Sequence, residues 1–398
     1  MEDCPDANRG AAATAAASLP DELILEILSR LPARSIHRFK CVSKRWRDLI
    51  ADPLHQKRLP QTLEGFLCGD GARSHGRFIS LPGRPAPLVD PSFFFLTKQP
   101  EMKNIKLLGS CNGLVLFEHR SDPASIPSYA VCNPATEQWV AVPSSGVTSH
   151  VHSAIGIIFN PAASPHFHLV RIWQKHCPGV GFEVRAYSSE TRGWSDCVSD
   201  RLVNVGWGTA RSGRIAFVNG MMYFIIWKCI NQIVAMSREG KPSIIPLPDG
   251  NLPLTLFVPQ SQGRLHCMSR HFGNSCPMTE GGLSIWVLED YDAGHWVLKH
   301  SVSSSELFGK MCRFSFSVVS IHPDCGVFFI RYCDWNGDRQ WKLLSYDMHS
   351  KELHAVHNFG HAYCSLTPYV SYLSGVIGAC NQALKMLLLG IDTCVFLP

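Results

Sequence analysis

The chain has 398 residues, of which 45% are hydrophobic and 17% are charged. This composition excludes a disordered protein and supplies enough apolar side chains for one large or two ordinary domains. The 31 glycines and 26 prolines favour many short strands joined by tight turns, so we expect most of the chain to be all-β.

Residues 1–17 form an alanine-rich, low-complexity tail without an apolar face, and we expect this tail to be disordered. It has acidic residues where a secretory signal needs basic ones, and no apolar run in the chain reaches membrane-spanning length. The sixteen cysteines include no C-x-x-C pair, which predicts reduced, mostly buried thiols. These features predict a protein of the cytoplasm, the nucleus or both, without a membrane partner.

Residues 18–60 carry a strong helical pattern. Five apolar residues recur at three- and four-residue steps, which predicts one apolar stripe on a helix that Pro32 ends: Leu23, Ile24, Ile27, Leu28 and Leu31. A second short helix can carry Ile36 and Phe39, and a third begins near Ser43. Three helices in about forty residues make a core too small to cover all their apolar side chains, which predicts a partner protein.

The segment LPDELILEILSRLPARSIHRFKCVSKRWRDLI, from Leu19 to Ile50, resembles an F-box. F-box proteins use this helical motif to bind the Skp-type adaptor of a cullin–RING ubiquitin ligase. The resemblance therefore implies an adaptor-binding role for the residues that match the motif: Leu19, Pro20, Leu23, Ile27, Leu28, Leu31, Pro32, Val42 and Trp46.

The basic excess of the chain lies in the same segment. Residues 18–60 have nine Lys and Arg against five Asp and Glu, which accounts for most of the net charge of +5. This balance favours an acidic partner surface, which the F-box resemblance also implies. A DNA-binding helix with Lys44, Arg45 and Arg47 and a merely solvated helix face are the alternatives.

Beyond a linker over residues 60–103, a four-stranded unit recurs from Ile105 onward. Its most regular element is a polar turn followed by tryptophan, at Trp139, Trp194 and Trp296, with weaker copies at Ile244 and Leu353, so that successive copies lie 50–57 residues apart. Each unit also has an inner hairpin signal, such as Asn-Gly. A repeated four-stranded unit of this length is typical of a β-propeller, and the count predicts six or seven blades.

The motifs SCNGLVLF, CNPATEQW, YSSETRGW and FVNGMMYF resemble the F-box-associated, kelch-like domains of plant F-box proteins over about residues 104–373. The resulting expectation is an α+β multidomain chain, with a three-helix F-box over residues 18–60 and an all-β propeller over residues 61–398. We expect the N-terminal strands and the C-terminal segment after Tyr372 to share one blade. The family resemblance implies a substrate-recognition adaptor of an SCF-type (Skp–cullin–F-box) ubiquitin ligase that captures a target protein on its propeller.

The sequence does not favour catalysis. It lacks the G-x-S-x-G, phosphate-loop and H-E-x-x-H motifs, so we expect no enzyme, no cofactor and no metal, although a propeller-fold enzyme stays an alternative. The pairs His150 with His152 and His166 with His168 alternate as metal ligands can, but no carboxylate or cysteine clusters beside them. The repeated tryptophans are interpreted as blade packing.

Target binding is expected on three long irregular connections, over residues 166–182, 271–282 and 332–340, because strands are constrained by blade packing. The third connection is rich in the residue types of binding hot spots. Its candidate target-binding residues are Tyr332, Trp335 and Arg339.

Overall fold

The computed structural model divides the chain into two compact units, Met1–Pro60 and Gln61–Pro398. The structure describes residues 19–31, 35–36, 39, 42–52, 55, 63–69, 77–82, 89–102, 104–122, 125–146, 153–161, 163–174, 182–196, 198–200, 215–226, 232–237, 242–248, 254–257, 260–261, 263–272, 281–309, 314–323, 326–334 and 339–372.

The first unit is helical. Helix α1 spans Asp21–Ser29, and its two acidic residues in the first turn face the positive end of the helix dipole. Helix α2 spans Lys44–Ala51 and begins at Ser43, whose hydroxyl accepts a hydrogen bond from the Trp46 amide at 3.1 Å. Between them the described residues Ser35, Ile36 and Phe39 are helical, where the sequence predicts the second short helix.

The described strands of the second unit form six antiparallel sheets, each a blade of a propeller, where the sequence predicts six or seven. Blade 1 has β3 (Ile105–Cys111), β4 (Leu114–His119), β5 (Ser128–Asn133) and β6 (Gln138–Val142). Blade 2 has β7 (Ser153–Ile158), β8 (His168–Gln174), β9 (Phe182–Ser188), β10 (Gly193–Trp194) and β11 (Val198–Asp200). Blade 3 has β12 (Ala216–Val218), β13 (Met221–Ile226), β14 (Gln232–Met236) and β15 (Pro242–Ile245).

The remaining blades follow the same plan, and the sixth joins the two ends of the unit. Blade 4 has β16 (Leu254–Phe257), β17 (Gln260–Ser261), β18 (Arg264–Phe272), β19 (Gly281–Asp290) and β20 (His295–Ser303). Blade 5 has β21 (Phe314–Ile321), β22 (Val327–Asp334), β23 (Trp341–Asp347) and β24 (Leu353–Gly360). Blade 6 has β1 (Leu63–Gly69), β2 (Arg77–Ser80) and β25 (Ser365–Val370).

Three short helical segments lie between strands. Helix α3 (Phe94–Thr97) and a 3-10 turn (Pro100–Met102) connect blade 6 to blade 1, and helix α4 (Ser304–Phe308) connects blade 4 to blade 5. Helix α4 begins with a capping box, in which the Ser303 hydroxyl accepts from the Glu306 amide and the Glu306 carboxylate accepts from the Ser303 amide.

Blade 6 closes the ring. Strand β25 pairs with β1, and β1 pairs with β2, so strands from the two ends of the unit share one blade. The sequence predicts this role for the segment after Tyr372, whereas the closing strand is Ser365–Val370, before that residue. Strand β25 also lies against the inner strands β3 and β21 of the flanking blades. The closing strand therefore ends at Val370, and residues 373–398, which the sequence analysis includes in the propeller, lie outside the described residues.

The turns follow the predicted hairpin signals. Asn112-Gly113 joins β3 to β4 with φ of 46° and 89°, and Asn219-Gly220 joins β12 to β13 with φ of 51° and 80°. Both residues of each turn are left-handed, as the two-residue hairpin with the right twist requires. A side chain at position 113 would also collide with Tyr372. Glycine is therefore required at position 113, because the backbone has a positive φ and because a side chain would not fit beside Tyr372.

The repeated turn before each tryptophan also has a common geometry. The side chain of the first turn residue accepts a hydrogen bond from the backbone amide two residues later. The residue four positions after the first has a left-handed φ. The accepting side chains belong to Asn133, Ser188, Asp290 and Asp347. The left-handed residues are Glu137, Arg192, Gly294 and Lys351. The sequence repeat therefore corresponds to the turn between the third and fourth strands of a blade.

The strand order defines two faces of the propeller. Successive strands of a blade run in opposite directions, so the first-to-second and third-to-fourth turns lie on one face, which we call the tight-turn face. The second-to-third connections and the connections between blades lie on the opposite face, the long-loop face. The chain enters β1 and leaves β25 on the tight-turn face, where Asn133 donates a hydrogen bond to the Tyr372 carbonyl at 2.8 Å.

Candidate functional site

The helical unit exposes large apolar side chains. Leu19 is 47% exposed, Leu23 51%, Ile27 44% and Val42 61%. Leu23 and Ile27 lie one turn apart on α1, so their side chains share one side of the helix. Pro20, which precedes α1, is exposed as well. We call these five residues the apolar surface.

Helix α1 is apolar around most of its circumference, and this corrects the prediction of one stripe. Ile24, Leu25 and Leu28 are buried, whereas Leu23 and Ile27 face outward. The reason is the size of the core, in which five buried residues cluster among those that the structure describes: Ile24, Leu28, Ile36, Leu49 and Ile50. A core of this size has room for one side of α1 and leaves the other side uncovered.

Three of the predicted adaptor-binding residues belong to the core side. Leu28 is fully buried, and Leu31 and Trp46 are half-buried against the core. The Trp46 ring lies 5.0 Å from the Phe39 ring, centroid to centroid. These side chains hold the helices together, while five of the nine predicted residues form the apolar surface. Pro32 lies outside the described residues.

An ion pair positions the apolar surface. The Arg45 guanidinium on α2 donates from Nε to Asp21 Oδ1 at 2.8 Å and from Nη2 to the Leu19 carbonyl at 2.8 Å. This contact holds the start of α2 beside the start of α1 and thus brings the segment with Val42 close to Leu19. The ion pair is exposed, so it stabilises the fold by only about 0.2–1 kcal/mol. Its main effect is to orient the two helices.

The prediction of Tyr332 as a target-binding residue is wrong, because the propeller buries it. Tyr332 lies within β22 and is 6% exposed, and its ring stacks on Phe308 of α4 at 4.7 Å. The strand continues through Asp334, which turns Tyr332 inward and leaves it unavailable to a target. Arg339 is exposed, and its carbonyl accepts a hydrogen bond from His361 Nδ1 at 3.2 Å. Trp335 lies outside the described residues.

The three predicted connections are shorter than expected but lie on one face. Strand β8 extends through Gln174 and β18 through Phe272, so much of the sequence predicted as irregular is paired sheet. Each connection joins the second strand of its blade to the third. They all lie on the long-loop face, together with Tyr363, an exposed aromatic residue that the sequence analysis missed. No short motif marks Tyr363, which lies in the connection from β24 to β25.

Comparison with known families agrees with this arrangement. The F-box domain model matches residues 17–56, and a model described as the F-box associated beta propeller domain matches residues 78–365, which is more than half of the chain. The chain belongs to the F-box proteins with an F-box-associated β-propeller.

Relatives of this F-box protein occur in Arabidopsis thaliana. A putative F-box protein is 37% identical over 307 residues, covering 70% of this chain and 71% of the relative. Another F-box protein is 25% identical over 327 residues, covering 74% and 73%. A putative F-box/kelch-repeat protein is 24% identical over 390 residues, covering 87% and 85%.

Solved structures similar to this F-box protein are distant. The β-propeller domain of the Trilobed protease from Pyrococcus furiosus, described as an open velcro topology, is 12% identical with a TM-score of 0.36, covering 63% of this chain and 71% of that domain. AofleA from Arthrobotrys oligospora is 8% identical with a TM-score of 0.38, covering 75% and 80%.

Other features of this F-box protein were sought in its described part. The described part of this F-box protein contains six cysteines, and all but the half-buried Cys111 are buried, as the sequence predicts. Desolvation of the half-buried Cys111 thiol raises its pKa to about 11. No cluster of three or more His, Cys, Asp or Glu residues is found among the described positions. Of the helices that the structure describes, none has the length and apolarity to cross a membrane.

Proposed function

We propose that this F-box protein is the substrate-recognition subunit of an SCF-type ubiquitin ligase. Its helical unit binds a Skp-type adaptor and through it a cullin–RING ligase, and its propeller captures a target protein for ubiquitination. The protein acts in the cytoplasm, the nucleus or both, and it requires no cofactor, nucleic acid or membrane.

The apolar surface carries this proposal. Four large apolar side chains, each between 44% and 61% exposed, lie in a unit whose core cluster has only five buried residues. Fully burying one such side chain contributes about 1.5–3 kcal/mol, so a partner that covers this surface gains several kcal/mol. A surface of this kind marks a protein–protein interface, and the family match to the F-box domain supports a Skp-type partner.

The mechanism is tethering rather than catalysis by this chain. Holding the target and the ligase in one assembly replaces a bimolecular encounter by an intramolecular one, with an effective concentration on the order of millimolar. The other ligase subunits form the bond between ubiquitin and a target lysine. No residue of this chain makes or breaks a covalent bond in this scheme, so it is not an enzyme.

The contacts of α2 support protein binding over DNA binding. A recognition helix needs its basic side chains free to reach a groove, but the Arg45 guanidinium contacts Asp21 and the Leu19 carbonyl. Trp46 on the same helix packs against Phe39. Val42, which precedes α2, has an exposed apolar side chain. An exposed apolar side chain favours contact with a protein over contact with DNA.

Co-purification with a Skp-type adaptor tests the proposal. The change is Leu23→Glu with Ile27→Glu, because both side chains are exposed and glutamate keeps the helix stable. We expect the adaptor to bind the unchanged chain and the double variant to bind at least about 100-fold more weakly, which is about 2.7 kcal/mol. Affinity is measured by titration of purified full-length chain.

The matched control is Ile244→Glu with Leu298→Glu in the propeller, where the two side chains are 45% and 47% exposed. This control introduces the same two charges at equally exposed apolar positions and leaves adaptor binding unchanged. If the helical variant and the control bind the adaptor equally well, the proposed function is wrong.

A further inference from the structure

The boundary between blades 5 and 6 carries an unusual group of side chains on the long-loop face. Arg331 lies on β22, Trp341 begins β23, and Tyr363 lies in the connection from β24 to β25. We call these three residues the seam cluster, because the boundary is where β25 closes the ring.

The Arg331 guanidinium lies beside both aromatic rings, which also contact each other. Its carbon is 4.1 Å from the Tyr363 ring centroid and 5.5 Å from that of Trp341, and the two rings meet edge to face at 5.1 Å. Both distances allow cation–π attraction, worth roughly 0.5–2 kcal/mol according to exposure.

Hydrogen bonds fix the guanidinium in this position. Nη1 of Arg331 donates to the Cys364 carbonyl at 2.8 Å, and Nη2 donates to Ser317 Oγ at 3.1 Å. Cys364 directly follows Tyr363 and is buried, so the backbone beside Tyr363 is anchored as well as its ring. The seam cluster is therefore a packed arrangement and not a chance proximity of surface side chains.

Tyr363 is 51% exposed although it is held on two sides. The neighbouring connections also bind each other, since His361 Nδ1 donates to the Arg339 carbonyl at 3.2 Å and Asn358 Nδ2 donates to Gln340 Oε1 at 3.1 Å. An exposed aromatic side chain that is already immobilised loses little conformational entropy on binding. Tyrosine anchors of this kind are common in binding hot spots.

Two exposed arginines lie in the segments next to the seam cluster. Arg339 and Arg77 are exposed, and Arg77 begins β2 in the adjoining blade. Burial lowers the pKa of His357, and the nearby positive charge of Arg77 lowers it further, which places Arg77 beside blade 5. The described residues of this boundary, 77, 331–334, 339–342 and 357–363, include four Lys and Arg and two His against one Asp, so this part of the boundary is basic.

We propose that the seam cluster binds an acidic segment of the target protein, with Tyr363 as the aromatic anchor and Arg339 and Arg77 as partners for its carboxylates. This inference rests on the proposed function, because it assigns to the propeller the capture of the target. Opposite charges favour such a segment over neutral or basic ones and increase its association rate.

A protein segment fits this surface better than a single-stranded nucleic acid. Proteins that bind single strands stack successive bases on several aromatic rings along a basic groove. Among the described residues of this boundary, Tyr363 alone has a large, half-exposed ring, and its face is already occupied by the Arg331 guanidinium.

The test measures fluorescence anisotropy of labelled probes with the full chain bound to its adaptor. The probes are mixed-sequence peptides of equal length in acidic, neutral and basic sets, together with a labelled oligouridylate. We expect binding by members of the acidic set only, weakening as salt rises. Tyr363→Ala and Arg339→Gln should each reduce this binding by about tenfold.

The matched controls are Leu298→Ala and Lys299→Gln on β20, where both residues are exposed and lie in another blade. They should leave acidic-peptide binding unchanged. The inference is overturned if the three peptide sets bind equally or not at all, if oligouridylate binds in their place, or if Tyr363→Ala and Arg339→Gln behave like the controls. Adaptor co-purification of each variant reports the proposed function separately, because that function fails only if the unchanged chain does not bind the adaptor.

Discussion

The two units of this protein treat their apolar side chains in opposite ways. The helical unit has a core cluster of five buried residues and leaves four large apolar side chains about half exposed. The propeller buries its large side chains in six clusters, and its exposed ones are spread over different blades. The difference supports the proposal that a partner covers the helical unit, whereas the propeller is completed by its own closing strand.

Size explains this difference. The helical motif over residues 18–60 is about forty residues long, so it has too much surface for its volume and cannot cover both sides of an apolar helix. The propeller instead packs each blade between two others, and β25 supplies the inner strand of blade 6.

Removing β25 should have the largest effect. Deleting residues 365–398 leaves β1 without its inner partner and opens the ring, so we expect loss of the cooperative thermal transition of the propeller. Deleting only residues 373–398 keeps β25 and should preserve that transition. Calorimetry of the two truncated chains checks this, and indistinguishable melting curves would place the closure elsewhere.

Leu28→Ala and Leu23→Ala compare the two sides of α1. Leu28 is fully buried, so its truncation should destabilise the helical unit by about 2–5 kcal/mol, which is enough to unfold so small a unit. Leu23 is 51% exposed, so the same change there should alter stability by about 0.5 kcal/mol or less. Hydrogen exchange of α1 amides in the free chain measures both, and equal protection in the two variants would contradict the assignment.

The repeated tryptophans should make smaller contributions to the contacts between blades. The Trp194 indole donates to the Pro143 carbonyl at 2.9 Å, and the Trp296 indole donates to the Pro246 carbonyl at 2.8 Å. Changing either residue to Phe removes the donor. Both hydrogen bonds are exposed, so this loss should destabilise the propeller by about 0.5–1.5 kcal/mol. Trp139→Phe is the control, since no described residue accepts a hydrogen bond from its indole. Denaturant titration should therefore rank Trp139→Phe as the mildest of the three.

Acid should weaken the propeller slightly through His266. Burial lowers the pKa of this imidazole in the folded state, although its hydrogen bond with the Arg264 carbonyl opposes the shift. The unfolded chain, with a histidine pKa of about 6.5, then binds the proton more readily, so stability is lost as pH falls below about 6.5. In melting curves measured from about pH 7.5 to about pH 5.5, His266→Asn should show a smaller decrease than the unchanged chain. An identical pH dependence would mean that other groups cause the acid sensitivity.

The candidate target-binding residues show where reasoning from sequence reaches its limit. Tyr332 is a typical hot-spot residue by type, but the β22–β23 ladder continues past Tyr332 to the pair Cys333 with Trp341, so Tyr332 lies within the strand and its ring is buried. Tyr363 has no such signal in sequence, and its exposure follows from contacts with Arg331 and Trp341, which are 32 and 22 residues away in the chain. Strand ends and long-range contacts decided both positions.

The sequence by itself determined the features that depend on local chemistry. Helical periodicity marked α1, Asn-Gly turns marked the inner hairpins, and the recurring turn before Trp139, Trp194 and Trp296 marked the blades, because each of these is set by residues a few positions apart. Only the tertiary structure decided which side of α1 stays exposed, that the blades number six, and that β25 closes the ring. Those outcomes depend on how much surface distant segments cover, and side-chain type within one segment does not specify that.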